Sequence, residues 1–186
     1  MSEPATAAES APDGSSLRYA GPRRVATEAE ARALASALRL RILRVCLDRA
    51  LTNKQISEWV GRNPATVLHH VRTLVDTGFL VADGERRGTR GAREVPYRAT
   101  GKSWWLDDMG DVPRDQDPIL AAFLEEVAAV GQRNLSSSRL ALGLADEDFE
   151  DFRNRLYGLL DEFARRPMVA GSRRWSVYVG LHPEQV

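Results

Sequence analysis

The stretch NPATVLHHVRTLVDTGFLVADGERRGTRGAREVPYRAT, residues 63–100, decides the reading of the chain. Asn63 is a good helix N-cap, and Pro64, whose φ is already set, suits the first helical position. Val67, Val71, Leu74 and Val75 recur at helical spacing and define an inward stripe, which predicts a helix from Pro64 to Thr77. Gly78 then serves as a left-handed C-cap. Two short extended runs follow, FLVA at 79–82 and VPYRA at 95–99. The segment between them, DGERRGTRGARE, holds three glycines and four arginines. Together they predict a β-hairpin with a long, mobile, polar tip.

Working back from that helix, Thr52 is placed to cap NKQISEWVG. This helix buries Ile56 with Val60 or Trp59 and stops at Gly61, leaving Arg62 and Asn63 as the turn. Before it, LRLRILRVCLD sets Leu38, Ile42, Val45 and Cys46 on one face, with arginines around the rest. Glu28 to Ala37 is rich in strong helix formers, and Thr27 stands ready as its N-cap. Three helices, a short turn, a fourth helix and a hairpin form a winged helix-turn-helix, expected over residues 25–103.

Downstream, 104–117 is acidic and holds Pro and Gly, as a linker does, and begins with Trp104 and Trp105, read as packing between the wing domain and the C-terminal helices rather than as a ligand cage. Residues 118–186 form a C-terminal helical region. It has one helix over 118–135 with a stripe of Ile119, Phe123, Val127 and Val130. A second, over 146–166, carries acids at its start and Arg165 and Arg166 at its end. RRWSVYVGLHP then alternates enough for a final short strand. The first 24 residues are polar and small, and read as a disordered tail rather than a signal peptide. The fold class expected is mainly α with a small β-hairpin wing.

Composition narrows the function. The 186 residues carry no net charge, but the charge is divided. Residues 39–100 hold twelve Lys and Arg against six Asp and Glu; residues 104–186 hold nine against fifteen. A basic half beside an acidic half suggests that one half meets a polyanion. A single cysteine, Cys46, excludes an internal disulfide and any multi-thiolate metal site, and it reads as a core filler. No apolar run is long enough to span a bilayer, and a cytoplasmic location, with nucleoid association through DNA, is expected. There is no Ser/His/acid set, no phosphate-binding glycine loop and no metal cluster, so an enzyme is not expected.

The segment TNKQISEWVGRNPATVLHHVRTLVDTGFL, with LRLRILRVCL before it and YRAT closing the wing, resembles the ArsR-type family of bacterial winged-helix repressors. The resemblance covers roughly residues 25–103. It implies DNA binding by a dimer. The family's metal sensors carry a cysteine pair in the third helix, and here TNKQISEWV has no thiol. DEDFEDF on the last helix has no histidine, so neither a metal nor another cofactor is expected.

The physical reading supplies the contacts. A helix fits the major groove of double-stranded DNA and reads base edges with its N-terminal residues. The candidates are Asn63, Ala65, Thr66, Leu68, His69 and Arg72. Thr66 and His69 can hydrogen-bond, Ala65 and Leu68 can meet a thymine methyl, and Arg72 can reach a phosphate. Arg86, Arg87, Arg90 and Arg93 of the hairpin would hold the backbone or enter the flanking minor groove. His70 is expected to turn toward the preceding helix. An alternative is a winged-helix module that grips an acidic protein with the same arginines. On helix 146–166, Phe149, Phe152, Leu156, Leu160 and Phe163 form an apolar seam. The seam predicts a homodimer on an inverted repeat. In a monomer the two C-terminal helices would cover each other instead. A small-molecule effector is a further partner whose existence stays open.

Overall fold

The computed structural model describes residues 22–87, 91, 93–106, 117–167, 169 and 171–184. The chain divides into two compact units between Ala122 and Phe123. The tail at 1–21, most of the expected linker, and Arg90 lie outside the described residues.

In the first unit, α1 (Glu28–Leu34) opens with a capping box. The Thr27 hydroxyl accepts from the Glu30 backbone N–H at 3.3 Å, and the Glu30 carboxylate accepts from the Thr27 N–H at 2.8 Å. The expected helix to Ala37 breaks earlier. Ser36 accepts from the Arg39 N–H at 3.5 Å and starts α2 (Ala37–Val45) as a new N-cap. A serine that offers the backbone a local acceptor favours a cap over a continuing helix. After α2 comes β1 (Leu51–Thr52), which the sequence pattern does not announce. Thr52 also caps α3 (Asn53–Val60), again in a capping box, with Gln55. Ile56 and Val60 are buried while Trp59 is 57% exposed, so Val60 and not Trp59 fills the core position.

The fourth helix, α4 (Pro64–Asp76), begins as expected: Asn63 Oδ1 accepts from the Ala65 N–H at 2.8 Å, and Pro64 occupies the first turn. It ends in a Schellman motif. The Phe79 N–H donates to the Leu74 carbonyl at 2.8 Å and the Gly78 N–H to that of Val75 at 2.9 Å. Gly78 takes φ 72°, where a Cβ would be strained. The wing then rises as β2 (Leu80–Ala82), β3 (Arg86–Arg87), β4 (Arg93–Glu94) and β5 (Pro96–Ala99). A three-stranded antiparallel sheet runs β1–β5–β2, and β3 pairs with β4. The segment expected to be a free tip is therefore partly a ladder.

The core lies where α2, α3, α4 and the sheet converge. Ile42, Cys46, Ile56, Val67, Val71, Leu74, Phe79 and Leu80 are almost wholly buried. Burying each such side chain favours folding by about 1.5–3 kcal/mol. Burial pushes the Cys46 thiol up to about 12, which leaves it an inert core residue. Trp105 and Leu106, inside the stretch expected to be a linker, are 7% and 8% exposed in this unit, while Trp104 is 37% exposed. Trp105 closes a short 3-10 helix, Lys102–Trp105, and Leu106 caps it. Arg24, expected in the tail, bridges to Leu106, and its N–H donates to the Trp105 carbonyl at 3.0 Å. The unit is a winged helix-turn-helix: mainly α, with a small β wing.

Across the division runs α5 (Pro118–Val130), which stops short of residue 135 at Gly131, whose φ is 81°. The last helix is α6 (Asp146–Arg165), with Asp146, Glu147 and Asp148 in its first turn. No residue of α6 is buried: Phe163 is 55% exposed, and Phe152, Leu156 and Leu160 are half-buried. The final strand does not form. Residues 172–184 are irregular, and Trp175 is 72% exposed. An alternating run becomes a strand only when another strand takes its backbone hydrogen bonds. Tyr178 instead stacks on Phe123, ring centroids 5.3 Å apart, and Ser176 donates to Glu126 at 2.7 Å.

Candidate nucleic-acid interface

The face of α4 opposite its buried stripe is solvent-facing. Asn63, Pro64, Ala65, Thr66, His69 and Arg72 are exposed, and Leu68 is half-buried. Val67 and Val71, between them in sequence, are fully buried and hold the helix from behind. The arrangement follows from period 3.6: anchors at 67, 71 and 74 leave 65, 66, 69 and 72 outward. Thr66, His69 and Arg72 offer hydroxyl, imidazole and guanidinium to a partner. Leu68 has only part of its surface available for a methyl contact.

His70 turns away from that face, as expected, but toward α2 rather than the preceding helix α3. Its Nδ1 lies 3.4 Å from the Arg39 guanidinium on α2. Arg39 has only donors, so Nδ1 accepts and the ring proton sits on Nε2. Arg39 also donates to the Arg32 carbonyl at 2.6 Å and to that of Ala33. Desolvation, with Arg39 and then His69 nearby, lowers the pKa of His70 from its ordinary value. His70 is thus a neutral strut between α2 and α4.

The turn between α3 and α4 adds groups that sequence reasoning misses. Gly61 takes φ 64°, and the Asn53 amide donates to the Pro64 carbonyl at 2.9 Å, tying the two helix starts together. Lys54 and Arg62 line a shallow depression beside Pro64, with Ser57, Glu58 and Gly61. Both cations are exposed next to the start of α4. Their only sequence signal is a cation in the first turn of α3 and another in the interhelical turn.

On the wing, register sets the charges. Arg86 stands opposite Glu94, and Arg87 opposite Arg93. Arg93 pairs with Glu85, and Arg98 with Asp83 at 2.8 Å near the wing's base. Neither Arg86 nor Arg87 has a carboxylate partner among the described residues. Like charges directly opposite on a ladder destabilise it. At the Arg87–Arg93 pair the Glu85 carboxylate on Arg93 offsets part of that cost. Arg86, Arg87 and Arg93 line one shallow hollow with Glu85 and Gly91. Among the described residues no group of His, Cys, Asp or Glu is placed to hold a metal ion, and no helix is long and apolar enough to cross a membrane.

No protein-family profile matches the chain, and no curated protein matches it. Among solved structures, it is similar to the homodimeric winged helix-turn-helix DNA-binding domain of a possible ArsR-family transcriptional regulator from Mycobacterium bovis, at 22% identity over 60% of this chain and 82% of that one, with a TM-score of 0.34. The transcriptional regulator SlyA is similar at 16% identity over 68% of this chain and 74% of that one, TM-score 0.31. A MepR variant from a multidrug-resistant S. aureus clinical isolate is similar at 14% identity over 71% and 78%, TM-score 0.29. Likenesses of this depth carry no residue role from those proteins to this one.

Proposed function

We propose that the chain is a sequence-specific DNA-binding transcriptional regulator that acts as a homodimer on an inverted repeat. The observation that carries it is the outward polar face of α4, rigidly backed by the core, in the same unit as an arginine-lined wing. In this reading α4 enters the major groove. Thr66 and His69 meet base edges, Ala65 and the exposed part of Leu68 meet a thymine methyl, and Asn63 and Arg72 stand at the margins of the groove. Lys54 and Arg62 take phosphates beside the start of α4. Arg86, Arg87, Arg90 and Arg93 hold the backbone or the adjacent minor groove. Phe149, Phe152, Leu156, Leu160 and Phe163 of α6 join two protomers, so that each half-site receives one winged unit. Any effector would act on the second unit.

Selection of bound fragments from genomic DNA by the purified full-length protein tests this. The expected result is enrichment of paired half-sites about one helical turn apart. On those fragments log affinity should fall linearly with log salt. Failure to enrich any sequence, or binding indifferent to salt, would sink the reading. Capture of an acidic protein with no DNA preference would instead support the interaction-module alternative.

A further inference from the structure

The carbonyl of Thr77, the C-cap of α4, is held by a side chain that reaches in from beyond the wing. Lys102 Nζ donates to the Thr77 carbonyl at 2.7 Å and lies 2.5 Å from the Glu30 carboxylate. It also sits 5.0 Å from the centroid of the Phe79 ring. The Lys102 side chain is only 15% exposed. Its backbone is fixed too: the Lys102 N–H donates to Thr100 Oγ1 at 3.4 Å, and that hydroxyl donates to the Gly78 carbonyl at 3.0 Å. Glu30 in turn is gripped by Arg24 through both oxygens, at 2.7 and 2.8 Å. The Schellman motif satisfies the Leu74 and Val75 carbonyls and leaves that of Thr77 for another donor. A cation there also complements the negative end of the helix dipole.

We propose that Lys102 is a positioning residue for recognition: it fixes the C-terminal end of α4 against α1, and so sets the angle at which the helix presents Thr66 and His69. The proposal rests on the DNA-binding reading for its consequence, but not for its geometry. The Lys102 ammonium is already engaged by the Glu30 carboxylate and the Thr77 carbonyl. Its influence on binding therefore runs through α4 and not through charge neutralisation.

The test uses the full-length protein with Lys102→Met, Lys102→Arg and Glu30→Gln. Hydrogen exchange in the absence of DNA reads the first arm. Lys102→Met should speed exchange about tenfold over residues 74–79, with α3 amides unchanged, because the part-buried Thr77 carbonyl is left without its charged donor. Lys102→Arg should restore most of the protection. Glu30→Gln, which leaves the Thr77 bond in place, should show a smaller change in the same segment and keeps the test open if Lys102→Met does not fold. Unchanged exchange over 74–79 in every variant that folds, or a uniform rise throughout the unit, overturns the proposal. The second arm compares selected with random DNA at two salt concentrations. Positioning predicts a lower specificity ratio for Lys102→Met with an unchanged salt slope. A slope flattened by about one unit would make Lys102 a phosphate contact and overturn the proposal. If wild type prefers no DNA sequence, the function proposed above fails while the exchange arm still decides the role of Lys102.

Discussion

Thr66 and His69 can be removed without opening a hole, because both are exposed while Val67 and Val71 hold the helix from behind. Replacing both by Ala should leave thermal stability nearly unchanged, within about 0.5 kcal/mol per site. Discrimination between target and random DNA should fall by about 1–3 kcal/mol for each base edge that goes unread, as competition binding would show. Specificity that survives the double substitution would mean that this face of α4 does not read bases. His70, one residue on, should behave in the opposite way. Its pKa is lowered by burial first and by Arg39 and His69 next, so the fold favours the neutral ring. The unfolded chain therefore binds the proton more readily, and stability rises with pH through this group. The native state is penalised once pH falls below the ordinary value of 6.5 and approaches the lowered one. Melting curves of wild type and His70→Gln should run parallel above that pH, and wild type should lose ground to the variant below it. A constant difference across the range would remove His70 from the pH response.

At the scale of elements, the wing makes its own prediction. Replacing Arg86, Arg87 and Arg90 together by Gln should weaken binding to all DNA sequences alike. The salt slope should flatten by about one unit for each phosphate no longer neutralised. Arg93 stays in place in that variant because it already pairs with Glu85. Affinity and slope that do not move would reduce the wing arginines to a solvated surface. How far each element can be read in advance depends on how local its cause is. The starts of α1, α3 and α4 are legible because Thr27, Thr52 and Asn63 act on backbone groups two or three residues away. The outward face of α4 is legible from the same periodicity as its core. Pairing is not. Leu51–Thr52 is a strand only because Tyr97 and Pro96 lie beside it, far along the chain. The RWSVYV run alternates just as well and finds no such neighbour among the described residues. Lys54, Arg62 and Lys102 are hidden for the same reason: their roles come from what folding sets beside them.

For the whole molecule, α6 poses the largest open demand. It has a long apolar seam and not one buried residue. A second copy would cover it, and one winged unit alone touches too few base pairs to give tight, symmetric readout. Leu156→Asp and Leu160→Asp, introduced together in the full chain, should convert a dimer to a monomer in light scattering. DNA affinity should fall with it while the melting of the first unit stays put. A dimer that persists with both substitutions would move the interface elsewhere. A truncation meant to isolate the winged unit should end after Leu106, because an earlier cut would strip Trp105 and Leu106 from the core.

Because Arg24 bridges to Leu106, the chain comes into the winged unit and leaves it at one place, and the two ends of residues 24–106 lie side by side. Such a segment suits grafting as a guest into a surface loop of a host protein, because neighbouring ends need not pull the host's loop apart. A graft spanning residues 22–106 should keep the bridge and the buried Trp105. A graft that begins at Val25 should lack the Arg24 half of the bridge and show Trp105 fluorescence shifted toward that of a solvated indole.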